Sequence, residues 1–272
     1  MKQKYIYLLL AGLLLNSLLP LGSIAQRIAI LGAMPEEIQL LESQMTQART
    51  KTIMGFQFKT GKLNGQEIVL SETGIGKVNA AMVTTLILKE FQPKSVIFTG
   101  IAGGISQDLK QGDIVIGSRL TYHDYGDLTN EGLSTNPTRN PITKQRNPLY
   151  FPSDSGLVSL AIKASKDVTL QKMSAEAAQP NISVGTIVTG DTFVTSSTAV
   201  GHFQKTLQAD ATEMEGAAVA QVCFQQHVPF VVIRCISDKA NEKASVDFET
   251  FKKIASDNSA TLVKEILKKI KI

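Results

Sequence analysis

The feature that most constrains this chain is a repeated pairing of an apolar run, with the look of a buried strand, and an acid- or glycine-bearing motif. GAMPEE (Gly32 to Glu37) follows RIAIL, and TGIAGG (Thr99 to Gly104) follows SVIF. GDTFV (Gly190 to Val194) follows ISVGTIV, and Ser237-Asp238 follows PFVVIRCI. A fifth motif, EMEG (Glu213 to Gly216), precedes a helical stretch. In open α/β sheets, ligands bind outside the carboxyl ends of the strands, so motifs scattered over the chain are expected to converge on one pocket.

Periodicity fills in the elements between these motifs. Strands are expected over 27–32, 56–62, 67–71, 95–99, 113–118, 182–189 and 230–236. Helices are expected from Pro35 to about Met45 and over 78–91, 157–166, 198–207, 215–226 and 248–269. Asn64-Gly65 between two strand runs is a strong hairpin signal. The alternation implies one α/β domain with a mixed, largely parallel central sheet flanked by helices, the early hairpin adding antiparallel strands. Residues 125–151 break the pattern, with Pro137, Pro141 and Pro148 and no clear period. A loop this long either serves the site, covering the pocket or meeting a second subunit, or is a surface insertion.

The first residues stand apart from this fold. Lys2 and Lys4 precede an almost entirely apolar run from Ile6 to Leu19, and Ser23 and Ala25 supply small residues where a signal peptidase reads. The expectation is a signal peptide over 1–25, cut after Ala25, and an exported domain over 26–272, periplasmic or secreted, with no stable membrane association. An uncleaved anchor is the other reading, but Asn16, Ser17 and Pro20 break the run short of the ~20 residues a spanning helix needs.

Charge and cysteine content exclude some partners. Removing Lys2 and Lys4 takes 28 basic residues to 26 against 24 acidic ones, a net charge of +2. That is no electrostatic footprint for nucleic acid. The terminal lysines Lys264, Lys268, Lys269 and Lys271 read as the solvated end of a helix. Cys223 and Cys235 have no metal-ligand spacing and sit in apolar runs, as buried free thiols do.

Three acids carry candidate chemistry. Glu36 and Glu37 fall in the first turn behind Pro35, where the helix dipole favours the ionised form, able to take a proton from water. An ordinary N-terminal charge preference is the other reading, and taken alone the motif favours it. Glu213 and Glu215 flank Met214, and in an extended stretch both carboxylates share a side. An ionised Glu215 at the helix start accepts two hydroxyl hydrogen bonds, as the vicinal diol of a sugar requires. Helix capping is the other reading. Asp238 ends an apolar strand, where burial raises its pKa and leaves it a proton to donate, unless it is an N-cap. Gly74-Ile75-Gly76-Lys77 lacks the Walker spacing, so it predicts no triphosphate site.

Taken together, GAMPEE, ETGIGKVNAA, TGIAGG, YHD (Tyr122 to Asp124), GDTFV, EMEGAAVAQVC and VPFVVIRCISD resemble the 5'-methylthioadenosine/S-adenosylhomocysteine nucleosidase family of the nucleoside phosphorylase/hydrolase superfamily. The resemblance runs from Arg27 to the C-terminus. It implies hydrolysis of the N-glycosidic bond of an adenine nucleoside bearing a 5'-thioether, with no metal or organic cofactor. By position, it makes Asp238 the acid that protonates adenine at N7 and Glu37 the group that activates water. Glu215 would grip the ribose hydroxyls with Met214 against the sugar. Phe193 would stack on the base, with the Val194 backbone at its edge. Met34, Ile75 and Phe248 would line the pocket, with Arg234 and Ser237 supporting Asp238. Ile101 stands where the family often has a small hydroxyl residue, and 125–151 matches poorly. A homodimer is the expected assembly. A phosphate-using phosphorylase and a non-catalytic exported nucleoside- or polysaccharide-binding protein are the alternative readings.

Overall fold

The computed structural model describes residues 27–130 and 132–270; the expected signal peptide lies outside the described residues. The chain opens with β1 (Ile28–Gly32), α1 (Pro35–Ser43), β2 (Thr46–Ile53), β3 (Phe56–Leu63), β4 (Gln66–Glu72) and α2 (Lys77–Phe91). There follow β5 (Ser95–Gly104), β6 (Ile114–Tyr122), β7 (Gly126–Thr129), β8 (Gly132–Thr135), β9 (Phe151–Pro152) and α3 (Ser155–Ala164). The last third contributes β10 (Ile182–Thr189), α4 (Ser197–Leu207), β11 (Ala211–Glu213), α5 (Gly216–Gln225), β12 (Phe230–Asp238) and α6 (Ala244–Lys269).

The apolar runs form central strands because both of their faces are covered. In β1, Ile28 and Ile30 point to a core layer shared with Leu41 of α1 and Leu262 and Ile266 of α6. Ala29 and Leu31 point the other way, to a layer with Val83 and Ile87 of α2 and Val219 of α5. Side chains alternate across a strand, so such a strand is apolar on both faces except where a buried polar group finds partners. Cys223 and Cys235 are buried and free.

The main sheet runs β11-β10-β6-β12-β5-β1-β4-β3-β2, with β9 on β6. It is mixed: β1 is parallel to β4 and β5, and β12 is parallel to β5 but antiparallel to β6. β6, β10 and β11 are mutually parallel and so run against β12. β11 then returns to pair antiparallel with the end of β5, Thr212 opposite Gly103, which closes β5, β12, β6, β10 and β11 into a small barrel. The motifs therefore meet through this closure, which brings the ends of oppositely directed strands together. Parallel strand ends alone would not do it.

The hairpin at Asn64-Gly65 is present as the β3–β4 turn, with φ of 49° and 82° at its two central residues. β2 has no counterpart among the expected strands. Its sequence is polar and its residues are nearly all exposed, so no alternation marks it. The irregular stretch after Tyr125 holds an exposed hairpin, β7 with β8, and a bridge between Arg139 and Arg146. Among the described residues, no helix is long and apolar enough to cross a membrane.

Candidate active site

One cavity collects the candidate residues. Glu37 and Met34 reach it from the start of α1, Ile75 from the turn before α2, and Ile101 from β5. Phe193 and Val194 come from the segment after β10, and Met214 and Glu215 from the link between β11 and α5. Ser237 and Asp238 close β12, and Phe248 projects from α6. The eleven residues expected to catalyse or to line the site thus meet at it, whereas Glu36 and Arg234 are not in its lining, nor is any described residue of 125–151. Glu213, expected on the same side as Glu215, joins them, and Ala33, Ala102, Gly103, Thr192, Thr212 and Ala240, none of them singled out from the sequence, complete the wall.

Glu37 is fixed by local geometry. Pro35 begins α1, and the Glu37 side chain folds back over the helix start. Its Oε2 accepts the N–H groups of Ala33 at 2.5 Å and Met34 at 3.0 Å; its Oε1 accepts that of Ile101 at 3.0 Å. Burial raises its pKa, against the opposing pull of Arg234 and these three N–H groups. The helix-dipole argument predicted an ionised group; desolvation is the larger effect here, because the carboxyl is almost fully buried.

Arg234 is fully buried, and it corrects the expectation that it supports Asp238. Its Nη2 donates to Glu213 Oε2 at 2.5 Å and lies 3.6 Å from Glu215 Oε2, while its guanidinium stacks 4.2 Å over the Phe98 ring. Glu213 also accepts the N–H groups of Glu215 at 3.1 Å and Gly216 at 2.7 Å, so the ion pair anchors the start of α5. The Nη1 of Arg234 and Oε1 of Glu37 flank Gly100, where any Cβ would collide with both. That is the physical reason for the first glycine of the TGIAGG motif. Gly103 plays the same part for Asp238, whose Oδ1 would meet a Cβ there at 2.9 Å.

Glu215 accepts the Gly76 N–H at 2.9 Å. Burial first and the neighbouring Glu213 second push its pKa to about 8, only partly offset by Arg234. The expectation that it stays ionised is therefore corrected. Three carboxylates share one buried cation, and the surplus negative charge is relieved by a retained proton. Asp238 accepts Ser237 Oγ–H at 2.8 Å and the Ala240 N–H at 2.8 Å. Burial raises its pKa despite both bonds. Among the described residues, no group of three His, Cys, Asp or Glu is arranged to hold a metal ion.

Comparison with known proteins places this geometry. Residues 27–268 match the phosphorylase superfamily. A curated 5'-methylthioadenosine/S-adenosylhomocysteine nucleosidase from Psychromonas ingrahamii is 40% identical over 244 residues, 89% of this chain and 98% of that protein. Its counterpart from Bacillus thuringiensis is 39% identical over 248 residues, covering 90% of this chain and all (100%) of that one. The crystal structure of the Neisseria meningitidis nucleosidase in complex with methylthio-immucillin-A is 40% identical, with a TM-score of 0.79. It covers 90% of this chain and 100% of its own.

The buried carboxylate cluster has a signature in stability. Glu215 holds a proton in the folded state that the unfolded chain releases near its ordinary value of 4.5. Its stabilising contribution is thus full below about pH 4.5 and lost as pH rises through about 8. Glu215→Gln cannot ionise, so its melting temperature should gain on wild type between pH 5 and pH 8.5 by several degrees in scanning fluorimetry. A gap that stays constant with pH would rule out the raised group.

Proposed function

The chain belongs to the phosphorylase superfamily, and we propose that it hydrolyses the N-glycosidic bond of 5'-thio-substituted adenosines, methylthioadenosine or S-adenosylhomocysteine or both, releasing adenine. The observation that carries this reading is the meeting of Glu37, Glu215 and Asp238 at a cavity whose lining includes no Lys or Arg.

The steps follow from the charges. As the bond between C1' and the base nitrogen breaks, its electron pair goes to adenine, a poor leaving group as an anion. Asp238, kept neutral to higher pH by burial, gives its proton to N7; positioned acids contribute ~10²–10⁴-fold. The ribose becomes oxocarbenium-like, and the surrounding carboxylates favour positive charge there. Water bonds to C1' and passes a proton to Glu37, whose raised pKa makes it the stronger base. Glu215 holds the ribose hydroxyls, Met214 and Ile101 pack on the sugar, and Phe193 stacks on the base. Ile101 brings no hydroxyl, which leaves ribose hydrogen bonding to Glu215.

The phosphorylase alternative is disfavoured by the same lining. A phosphate dianion would face Glu37, Glu213 and Glu215, while Arg234 is already shared among them. A pure binder has no use for a raised acid beside a raised base. Export is the remaining part of the reading: Lys2, Lys4, the apolar run to Leu19 and the small residues Ser23 and Ala25 support a signal cut before Gln26. A homodimer is supported by one apolar face. Val78 and Met82, four apart on α2 and so on one face, are 68% and 41% exposed, and Ile75 in the turn before α2 is exposed as well.

Adenine release from methylthioadenosine should proceed at the same rate with and without phosphate, yielding the free sugar; dependence on added phosphate would reverse the assignment. Asp238→Asn and Glu37→Gln should each lower turnover by ~10²–10⁴-fold while leaving nucleoside binding measurable by calorimetry. Wild-type turnover in either variant removes that residue from the chemistry. The native protein should sediment as a dimer and Val78→Asp/Met82→Asp as a monomer. A monomeric wild type at micromolar concentration ends the dimer reading.

A further inference from the structure

The turn Gly74-Ile75-Gly76-Lys77 has no task in the chemistry above, yet its lysine joins three separate chain segments. Lys77 Nζ donates to Asp124 Oδ2 at 2.6 Å and lies 3.7 Å from Asp191 Oδ2. The Lys77 N–H donates to Asp191 Oδ1 at 2.8 Å, and the Asp191 N–H donates to Asp124 Oδ2 at 2.8 Å. One Asp124 oxygen thus receives both the ammonium and a backbone N–H. The ammonium also sits 5.5 Å over the Tyr122 ring. The Lys77 and Asp124 side chains are only 23% and 22% exposed, so solvent and salt weaken this pair less than an open surface pair.

Two of the joined segments deliver residues to the cavity, and the third braces them. The turn supplies Ile75 and the Gly76 N–H that Glu215 accepts. Asp191 immediately precedes Thr192, Phe193 and Val194, all of which line the wall. Asp124 follows His123, whose ring stacks on Phe203 with centroids 4.5 Å apart and lies so close to Gly190 that a Cβ there would collide with it. Gly76, at φ +98°, lets the turn approach Asp191, since an added Cβ would stand 3.2 Å from Oδ1. Phe193 itself is 43% exposed, and its ring meets Phe248 edge-on with centroids 5.6 Å apart, a contact that leaves much of it open to solvent. Its position depends on how the ends of its segment are fastened.

We propose that Lys77 is a positioning residue, clasping the 190–194 segment to the 74–76 turn and so setting Phe193 against Glu215. The clasp would fix the gap between the side chain that stacks on the base and the one that grips the ribose. Its catalytic consequence rests on the nucleosidase reading; its mechanical consequence does not.

Two measurements on Lys77→Met and Lys77→Arg test this. In Lys77→Met, amide hydrogen exchange over 190–194 should accelerate by ~10-fold or more, with β5 amides unchanged. The KM for methylthioadenosine should rise ~10-fold with kcat within about threefold, since binding geometry is what the clasp sets. Lys77→Arg keeps a cation between the two acids and should restore both readings to within about threefold of wild type. Unchanged exchange over 190–194 overturns the clasp whatever the activity. So does faster exchange throughout β5, which would mean a general loss of fold, and so does a fall in kcat with KM unmoved. If exchange responds as expected but the wild-type enzyme releases no adenine, the nucleosidase reading fails and the clasp stands.

Discussion

A single buried guanidinium organises this molecule. Arg234, at the middle of β12, has no solvent contact, and removing an ion from water costs several kcal/mol even after relaxation. That cost is offset by Glu213 at hydrogen-bond distance, Glu215 slightly further away, Glu37 across Gly100, and the face of Phe98. The partners come from β11, the α5 entry, α1 and β5. One charge therefore ties together the segments that frame the cavity. Losing it would leave the carboxylates facing each other without compensation.

The imbalance around that cation is also what gives the site its character. Three carboxylates surround one positive charge: burial pushes Glu37 upward, burial and then repulsion from Glu213 push Glu215 upward, and burial is the main cause that raises Asp238. Such a pocket welcomes a ligand that becomes positive during reaction and resists one that arrives negative. The two carboxyls differ in their surroundings: Asp238 has Ser237 and a backbone N–H, whereas Glu37 has three N–H donors and the nearby cation.

Much of this was legible from the sequence. Strands buried on both faces announce themselves as unbroken apolar runs, and β1, β10 and β12 were placed nearly to the residue. Asp238, which ends β12, was found because a carboxylate after a buried strand is costly without a task, while Glu37 and Glu215 were marked by their places at helix starts. The polar strand β2 and the short hairpin β7–β8 were not, because exposure removes any apolar period. The expectation that Arg234 supports Asp238 came from the family resemblance and not from the strand's own pattern. In a regular strand residues four apart share a face, which would allow that pairing. β12 shifts register between Ile236 and Asp238 against β5, so the extra residue turns Asp238 to the other face and leaves Arg234 to Glu213. The raised pKa of Glu215 was likewise invisible, since its largest cause is burial, which only the folded chain creates.

The return of β11 to β5 has a further consequence, for how these molecules behave in a crowd. A sheet that curls back on itself gives up one of its two rims, and here the main sheet keeps a single long open one among the described residues, β2. That rim carries Arg49 and Lys51 amid threonines rather than an oily stripe. A strand from a neighbouring copy that approaches this rim meets Arg49 and Lys51, charged side chains of the kind that discourage edge-to-edge pairing.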